Sequence, residues 1–341
     1  MKLAKPYLLF LGQNSSFGDC KTAFGLKDWC PGDVAGQYSL LPKNVDLGIP
    51  WLTPAQAAAV GVRSLVIGVA PVGGAIPRSW WPTLIEAVEA GLDIVSGMHT
   101  RLASVPGLLE AAAKRNCTLH DVRHGERSFG AASGVRRSGR RVLTVGTDCA
   151  LGKKYSALAL ARALLELGTK ATFRATGQTG IMIAGSGIAI DAVIADFIAG
   201  AAEELSPAND ADHWDVIEGQ GSLFHPAYAG VTLGLVHGSQ PDAMVLCHDP
   251  LRHTIDGFPG FAIPSLESAM QQYLTAAQVT NAGSRFVGIS LNTSRLDERT
   301  RRGEMAALED RFGLPVIDPI RDGAAAIATY MLSALSPENS A

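Results

Sequence analysis

The sequence of 341 residues carries little charge of either sign. Its 29 lysines and arginines nearly balance 32 aspartates and glutamates, which gives a formal net charge of -3, and charged residues make up 18% of the chain. Soluble domains usually contain about 25% charged residues, so this composition excludes extensive disorder. The near-neutral balance also lacks the basic excess of a nucleic-acid-binding protein, and we expect no nucleic-acid partner.

Long apolar runs are absent as well. None reaches the roughly 18 residues that a membrane-spanning helix requires, so we expect no membrane partner. The run Tyr7–Leu11 is shorter than the roughly 7–15 residues of a secretory apolar region and is predicted to form the first strand. The cysteines are odd in number and include no CxxC pair; they are Cys20, Cys30, Cys117, Cys149 and Cys247. A disulfide framework and a structural zinc site are therefore disfavoured, and a reducing cytoplasm is expected.

Glycine, in contrast, is abundant, with 37 residues. Many glycines end or interrupt short aliphatic and β-branched runs. Because these runs are too apolar to alternate, they indicate strands buried on both faces of a parallel sheet. The clearest runs are 65–69, 93–97, 142–146 and 285–289. Helical stretches lie between them, so the pattern predicts an α/β protein with right-handed crossovers and doubly wound sheets.

Two of the intervening helices have recognisable ends. The first is predicted to begin at a Ser79 cap, with Pro82 in its first turn, and to end at Gly91. The second is predicted over residues 154–167 and stops at Gly168. Their predicted core faces are Leu84 and Val88 in the first, and Leu158, Ala161 and Leu165 in the second.

The length of the chain is typical of about two domains. The arginine-rich stretch Arg123–Arg141 has no apolar period, and we place a linker at residues 123–140. It would join a Rossmann-like N-terminal domain, residues 1–122, to a P-loop-like cofactor-binding and catalytic domain, residues 141–341. Two interpretations of the arginines stay open: a solvated connector, or a basic rim that helps to hold a phosphorylated ligand.

The N-terminal domain lacks a dinucleotide-binding motif. Gly12 follows the first predicted strand, but the residues after it are one glycine short of G-x-G-x-x-G. A structural or oligomer-forming role is therefore favoured over dinucleotide binding. The abundant small and apolar residues of the chain also favour a homo-oligomer.

The segment 142–154 reads as strand, loop and helix. In this context successive backbone N–H groups and a helix N-terminus converge on an anion. Gly146 and Gly152 permit the tight turn, and Lys153 stands where a P-loop lysine belongs. Together with Thr147 and Lys154, these residues are predicted to bind the phosphates of a cofactor.

The loop departs from the P-loop pattern G-x4-G-K-[ST]. Its first glycine comes one residue early, and Lys154 replaces the hydroxyl residue that ligates Mg²⁺. Because an ammonium group repels a metal ion, no metal is predicted. The loop therefore favours a nucleotide-like cofactor such as coenzyme A, which carries a pyrophosphate and has no γ-phosphoryl group, over a hydrolysed triphosphate.

Several motifs resemble those of known proteins. Gly146–Lys153, GTDCALGK, resembles the G-T-D-T-x-V-G-K loop of dethiobiotin synthetase-like P-loop proteins, and Ile217–Leu223, IEGQGSL, resembles their E-G-A-G-G-L strand end. Taken with five further segments, these motifs are similar to a formerly uncharacterised bacterial family whose characterised branch is the D-glutamate N-acetyltransferases. The further segments are Gly97–His99, Asp121–Arg123, Arg174–Ile181, Val231–Ser239 and Pro241-Asp242.

The resemblance spans nearly the whole chain and implies a specific reaction. In that family an acetyl group passes from acetyl-CoA to the amino group of D-glutamate. The reaction belongs to a D-amino-acid catabolic pathway, beside a partner enzyme that deacetylates or oxidises. The resemblance assigns no residue roles, so those below come from chemistry.

Acyl transfer to an amine needs a group that removes a proton. Glu218 is a candidate base because it lies at a predicted strand end, where open α/β sheets bind ligands; alternatively it accepts loop N–H groups. Asp148, inside the loop, is a second candidate. His225 and His237 follow apparent strand ends and are further candidates, since imidazole titrates near neutrality; each could instead be a satisfied loop histidine.

Recognition of substrate carboxylates needs a cation. Arg174 is the best candidate, because it leads from a strand end into a polar loop; a surface role is the alternative. Gln178, Thr179 and Gln220 complete the predicted substrate-binding set. Asn292 follows another strand and is predicted to contact the base edge of the cofactor.

Alternatives to this scheme stay open. Cys149 could accept the acetyl group in ping-pong transfer, because it would lie at a helix N-terminus beside lysines, although no adjacent base is evident in the sequence. One rival function is a Mg-ATP-dependent ligase or kinase of the dethiobiotin synthetase type. Another is a non-enzymatic nucleotide sensor.

Overall fold

The computed structural model describes residues 3–13, 18–41, 45–71, 73–125 and 127–336. Residues 14–17, which follow Gly12, and residue 126 of the expected linker lie outside this description. The chain forms two compact units. The first contains the residues up to Arg127 together with Gly177–Ala192, and the second contains Ser128–Thr176 and the residues from Val193 onward. The sequence-based division differs, because it assigned residues 177–192 to the second domain.

Both units alternate strands with helices. The strands are β1 (Tyr7–Phe10), β2 (Val34–Tyr38), β3 (Ser64–Ile67), β4 (Asp93–Ser96), β5 (Leu119–Asp121), β6 (Arg140–Gly146), β7 (Ala171–Arg174), β8 (Trp214–Ile217), β9 (Ala243–His248), β10 (Thr254–Ile255), β11 (Phe258–Ala262), β12 (Arg285–Leu291) and β13 (Val316–Ile317). The helices are α1 (Lys21–Trp29), α2 (Pro54–Ala59), α3 (Trp81–Glu89), α4 (Leu108–Arg115), α5 (Lys153–Glu166), α6 (Gln178–Ala184), α7 (Ile198–Leu205), α8 (Ala229–Ser239), α9 (Leu266–Gln278), α10 (Glu298–Phe312) and α11 (Ala325–Ala334). Within the described ranges, no helix is both long enough and apolar enough to cross a bilayer.

The sheet of the first unit has the order β2-β1-β3-β4-β5, and all its strand pairs are parallel. Tyr7 of β1 lies opposite Ser64 of β3. Successive residues Leu8 and Leu9, whose side chains point to opposite faces, are both completely buried. Both faces are therefore covered, as in a doubly wound sheet, and the predicted fold class is confirmed for this unit.

The sheet of the second unit has the order β13-β12-β9-β6-β8-β7 and is also parallel. A short antiparallel hairpin joins β10 to β11. From β6 the chain crosses to β7, and from β9 it crosses to β12 on the opposite side. Adjacent strands whose connections diverge in this way form a crevice at their carboxyl ends, where open α/β sheets bind ligands. The residues that follow β6 and β9 therefore mark the expected site.

Helix α3 confirms its predicted core and corrects its predicted cap. Pro82 lies in the first turn, and Leu84 and Val88 are completely buried. The cap position, however, is Trp80, which offers no side-chain hydrogen bond. A turn of 3-10 helix precedes α3, and the Ser79 hydroxyl donates instead to Gln13 Oε1 at 2.9 Å.

Helix α5 also differs from its predicted core face. Leu158 and Ala161 are buried, but Leu165 is 57% exposed and the completely buried residue of the last turns is Leu164. All positions from 156 to 161 are buried, so the middle of the helix is enclosed on every side and carries no single apolar stripe. The 3.6-residue period is informative only for helices that keep one face in solvent.

The arginines at the two ends of the arginine-rich stretch Arg123–Arg141 are structural. In the first unit, Arg123 is 7% exposed and donates to the Gly97 carbonyl and to Gln178, which holds segment 177–192 in that unit. In the second unit, Arg141 is completely buried and donates to Ser206 Oγ at 2.8 Å. Residues 131–136 between them are exposed. The end arginines thus join chain segments, which differs from both interpretations of the sequence.

Candidate active site

The loop between β6 and α5 lies at the carboxyl end of the second sheet. β6 ends at Gly146 and α5 begins at Lys153, as the strand–loop–helix pattern predicts. Gly152 has a φ of 102°, a left-handed value that glycine adopts at little cost. The Thr147 amide donates to the Cys247 carbonyl at 3.2 Å. The loop is therefore fastened to the end of β9, the neighbouring strand at the crevice.

The two loop lysines have different environments. Lys153 is 6% exposed, and its Nζ donates to the backbone carbonyl of Asp148 at 2.7 Å. Burial lowers the pKa of this ammonium group, and the neighbouring Cys149 opposes that effect. Lys154 is half-buried, with its Nζ 5.1 Å from the centre of the Tyr155 ring. Because solvent screens a buried ammonium group little, Lys153 can interact strongly with an anion held by the loop.

Asp148 is completely buried and fully engaged by neighbouring groups. Its Oδ2 accepts from the Arg252 guanidinium at 2.8 Å and from the Asp256 amide at 2.8 Å. Its Oδ1 accepts from the Cys149 amide at 2.6 Å. Arg252 also donates to the Cys149 carbonyl at 2.7 Å. Asp148 therefore joins the loop to the segment after β9, and Arg252, which sequence reasoning missed, supplies the counter-charge.

Glu218 follows β8 at the same edge of the sheet. It is 4% exposed, and its Oε2 accepts the Thr176 amide at 3.0 Å. The Thr176 hydroxyl donates to the Glu218 carbonyl at 2.6 Å, and Gln220 Nε2 donates to that hydroxyl at 3.2 Å. A Cβ on Gly219 would lie 1.7 Å from the Thr144 carbonyl oxygen. This close approach explains the glycine, and the Thr176 bonds match the alternative in which Glu218 accepts loop N–H groups.

His225 is 2% exposed and fixed on several sides. Its ring stacks on Tyr228 at a centroid distance of 4.4 Å and meets the edge of Phe258 at 5.0 Å. The Ala227 amide donates to Nδ1 at 3.1 Å. Because Nδ1 accepts this bond, a neutral ring carries its proton on Nε2. In this state His225 offers a hydrogen-bond donor at Nε2, which differs from the predicted role of base.

Asp148, Cys149 and His225 form a cluster in which one carboxylate oxygen, Sγ and one ring nitrogen all lie within 4.8 Å of one another. These three atom types can ligate a metal ion. The Arg252 guanidinium, however, lies 2.8 Å from Asp148 Oδ2, and both oxygens of that carboxylate already accept hydrogen bonds. The cluster fits a cation poorly.

His237 is not part of this cluster. The prediction that it follows a strand end was wrong. It lies in the last turn of α8, not after a strand. Because α8 returns the chain to the start of β9, its last turn lies at the amino-terminal edge of the sheet, away from the loop. The Nε2 of His237 is buried without a hydrogen-bond partner.

Arg174 is the last residue of β7 and Asn292 follows β12, and both already have local partners. Arg174 Nε donates to Asp215 Oδ1 at 2.8 Å, so its guanidinium is held in an ion pair with a carboxylate that is 1% exposed. Asn292 Oδ1 accepts a hydrogen bond from the backbone N–H of Ser294 at 3.2 Å. The backbone N–H of Asn292 donates to the His248 carbonyl at 2.8 Å. These intramolecular contacts neither support nor contradict the predicted ligand-binding roles of Arg174 and Asn292, which stay predictions.

Gln178 and Thr179 belong to the first unit. Gln178 Oε1 accepts from Arg123 at 2.7 Å, and the Thr179 and Thr22 hydroxyls lie 2.8 Å apart. These contacts place helix α6 against α1 in that unit. The four residues predicted to bind substrate are therefore divided, since Arg174 and Gln220 belong to the second unit.

Sequence reasoning did not select two further side chains near the loop, Tyr273 and His248. Tyr273 of α9 is completely buried, and its hydroxyl donates to the Gly146 carbonyl at 2.8 Å while accepting the Leu223 amide at 3.2 Å. Burial raises the pKa of its phenol to about 12. His248 Nδ1 lies 3.0 Å from the Thr147 hydroxyl, and burial lowers the pKa of His248 to about 4. The position of His248 at the carboxyl end of the apolar run that forms β9 is the signal that could have identified it.

Two family models match the chain. A domain of unknown function described as the DUF1611 C-terminal P-loop domain matches residues 128–328, and the DUF1611 N-terminal Rossmann-like domain matches residues 33–125. A crystal structure of a DUF1611 family protein from Anabaena variabilis is 34% identical and superposes with a TM-score of 0.87, covering 96% of this chain and 99% of that chain. The predicted pairing of a Rossmann-like with a P-loop domain is therefore confirmed.

Two named relatives match over nearly their full length. A D-glutamate N-acetyltransferase of Tritonibacter scottomollicae is 49% identical over 319 residues, which cover 94% of this chain and 96% of the relative. A D-glutamate N-acetyltransferase of a Pseudoalteromonas species is 44% identical over 331 residues, which cover 97% of this chain and 100% of the relative. The resemblance inferred from the sequence motifs is confirmed.

Proposed function

The chain belongs to the DUF1611 family of proteins with a Rossmann-like and a P-loop domain, and on that premise we propose that it is a D-glutamate N-acetyltransferase with acetyl-CoA as acyl donor. The observation that carries the proposal is 49% identity over 94% of the chain to a relative with that name. The reaction forms a bond between the acetyl carbon and the amine nitrogen and breaks the thioester carbon–sulfur bond. The product is an N-acetylated amino acid, and we place the reaction in D-amino-acid catabolism in the cytoplasm.

The loop between β6 and α5 supports a polyphosphate donor. Backbone N–H groups at the start of α5 and the buried Lys153 ammonium group are directed at this loop and would hold the pyrophosphate of coenzyme A. Lys154 supplies a second cation where an Mg²⁺-binding hydroxyl would stand. With Gly146, Thr147 and Gly152 forming the turn, the site needs no metal ion to neutralise the phosphates.

The acceptor amine would approach from the carboxyl end of β8. Glu218 and Gln220 lie there with Thr176, so Gln220 can orient the amino acid and Glu218 can accept a proton through water. We retain Arg174, Gln178, Thr179 and Asn292 as proposed ligand contacts. For Arg174 this requires substrate to compete with Asp215 for the guanidinium.

Release of free thiol tests the function directly. Purified protein is incubated with acetyl-CoA and D-glutamate, and the amino-acid product is identified by mass spectrometry. Matched control incubations contain L-glutamate, D-aspartate or no amino acid in place of D-glutamate. We expect thiol release that depends on D-glutamate and yields N-acetylglutamate; release that is independent of the amino acid would refute the proposal, and Mg-ATP turnover would favour the ligase alternative.

A substitution at position 154 tests separately whether Lys154 excludes Mg²⁺ from the loop. Replacing Lys154→Thr restores the hydroxyl of the usual P-loop, so the variant should gain affinity for Mg-ATP and lose affinity for coenzyme A. Isothermal titration of both proteins with both ligands measures this exchange. Equal affinity of the unaltered protein and the variant for Mg-ATP would show that the lysine does not exclude the metal.

A further inference from the structure

An arginine held by a buried carboxylate lies at the end of β9, near the β6–α5 loop. Arg295 Nη2 donates to both carboxylate oxygens of Asp249, at 2.9 and 3.0 Å. The Asp249 side chain is 4% exposed, whereas the Arg295 side chain is 58% exposed. We infer that Arg295 binds the 3′-phosphate of coenzyme A and so selects the acyl donor, an inference that rests on the proposed acetyltransferase function.

The segment after β12 fixes the backbone that carries Arg295. Thr293 is completely buried, and its hydroxyl donates to Asp318 Oδ2, directly after β13. The Leu296 amide donates to the Thr293 carbonyl at 3.0 Å, which closes a turn with Arg295 at its third position. The turn is therefore fastened to the second sheet. Because the arginine is already held in place, little ordering cost remains when a ligand binds.

Asp249 occupies one nitrogen of the Arg295 guanidinium and leaves the others available. A guanidinium group is always charged and carries five N–H donors. Within the described part of the chain, Nε and Nη1 of Arg295 have no hydrogen-bond partner. Asp249 is held in turn, because its Oδ1 also accepts the Leu251 amide at 3.0 Å. The buried carboxylate thus orients the guanidinium, and the exposed nitrogens can donate to an anion.

Contacts around the end of β9 place Arg295 beside the expected adenosine site. His248 Nδ1 lies 3.0 Å from the Thr147 hydroxyl of the β6–α5 loop. The His248 carbonyl accepts the backbone N–H of Asn292, the proposed contact of the base, at 2.8 Å. Asp249, the partner of Arg295, directly follows His248. The loop, the proposed base contact and the arginine therefore meet at one strand end.

Coenzyme A carries a third phosphate that matches this arrangement. Its ribose bears the adenine base, the pyrophosphate on the 5′ oxygen and a phosphate on the 3′ oxygen. If the loop holds the pyrophosphate and Asn292 contacts the base, the 3′-phosphate must lie close to both, where Arg295 offers a cation. The thioester lies at the far end of the pantetheine arm, so the 3′-phosphate can bind here wherever the acetyl group reacts.

A purely structural role for Arg295 is the alternative. A buried carboxylate is costly unless it is paired, and Arg295 supplies the counter-charge of Asp249. Loss of that pairing alone, however, would weaken binding of ligands with and without a 3′-phosphate by the same factor. Two ligands that differ only in this phosphate therefore separate the two roles.

Titration calorimetry with coenzyme A and with 3′-dephospho-coenzyme A tests the inference. We expect the unaltered protein to bind coenzyme A about tenfold or more tightly at low ionic strength, as a charge-assisted hydrogen bond predicts. The preference should decline as salt is added, because Arg295 is exposed and its charge is screened.

Variants assign the preference to one side chain. Arg295→Ala should bring the two affinities to within about threefold of each other, mainly by weakening the binding of coenzyme A. Arg311→Ala is the matched control and should keep the full preference, because Arg311 is 57% exposed, pairs with Glu267 and lies at the other end of α10. Since Arg295→Ala leaves a buried carboxylate unpaired, a double variant with Asp249→Asn replaces it if the single variant does not fold, and the same loss of preference is expected.

Thiol release with acetyl-CoA and D-glutamate is measured on the same proteins. Equal affinity of the unaltered protein for the two ligands would overturn the inference, and so would a preference that persists without Arg295; if N-acetylglutamate still forms, the proposed function stands. If no N-acetylglutamate forms but the preference is present and is lost with Arg295, the phosphate site stands and the proposed function fails. Failure of the unaltered protein to bind either ligand overturns both.

Discussion

The hydroxyl of Tyr273 donates to the carbonyl of Gly146 at 2.8 Å, although the two residues are 127 positions apart in the sequence. The same hydroxyl accepts the Leu223 amide at 3.2 Å, and the Ser222 hydroxyl donates to the same Gly146 carbonyl at 2.9 Å. Tyr273 is therefore a link between helix α9, the start of the β6–α5 loop and the segment after β8. A completely buried phenol in this position fixes where the loop begins.

Tyr273→Phe should loosen this link with little change in volume. The Gly146 carbonyl keeps its bond from Ser222, but the partly buried Leu223 amide loses its acceptor, so we expect a loss of about 1–2 kcal/mol in the free energy of unfolding. The Michaelis constant for acetyl-CoA should rise as the loop becomes less ordered. Urea unfolding and initial-rate kinetics measure the two effects. Tyr228→Phe, in a residue that is 46% exposed, is the control; equal effects in both variants would refute the link.

Gly219 should not tolerate a side chain. A Cβ there would lie 1.7 Å from the Thr144 carbonyl oxygen, so Gly219→Ala must displace β6 or the segment after β8. We expect it to destabilise the second unit by about 1–3 kcal/mol or more. Gly230, in helix α8, has open space around its Cβ position, and Gly230→Ala should instead stabilise by up to about 1 kcal/mol. Thermal unfolding of the two variants should shift in opposite directions, and a shared sign would contradict this account.

Lys153→Ala tests whether Lys153 contributes to binding of acetyl-CoA. A charge-assisted hydrogen bond contributes about 1.5–3 kcal/mol, so loss of this buried ammonium group should raise the Michaelis constant for acetyl-CoA by roughly 10- to 150-fold. The Michaelis constant for D-glutamate should change far less. Lys170→Ala removes an exposed lysine of the same unit and should leave both constants unchanged. An unaltered constant for acetyl-CoA in Lys153→Ala would show that the loop does not bind the donor.

Much of the fold follows from local sequence patterns. Parallel strands buried on both faces require uninterrupted apolar runs, which is why the runs ending near Ile67, Ser96 and Gly146 predicted β3, β4 and β6. The return of residues 177–192 to the first unit could not be predicted, because it depends on partners distant in sequence. Arg123 contacts Gln178 across 55 positions, and Thr22 contacts Thr179 across 157.

In the candidate site, too, the features formed by contiguous residues could be predicted and those formed by residues distant in sequence could not. The strand–loop–helix around Gly146 and Lys153 is contiguous and could be predicted. His237 was misplaced because its run of valine, leucine and glycine residues suits a strand or a buried helix equally, and the structure forms the 11-residue helix α8. The pairing of Asp148 with Arg252 and the approach of His225 to Cys149 depend on the order of strands in the sheet, which spacing does not encode.

His248 should make stability depend on pH in a defined window. Burial lowers its pKa in the folded protein from 6.5 to about 4, so below pH 6.5 the unfolded chain binds a proton that the folded protein does not. This contribution to stability is complete above pH 6.5, falls as the pH drops, and levels off near pH 4, with a total loss of about 3 kcal/mol at most. His248→Gln should remove that part of the dependence, measured as the difference between the urea-unfolding free energies of the two proteins from pH 7 to pH 4. The variant also weakens the contact with the Thr147 hydroxyl, which lowers stability equally at every pH and leaves the slope to report on His248 alone. Identical slopes for the two proteins would show that His248 does not titrate as its burial requires.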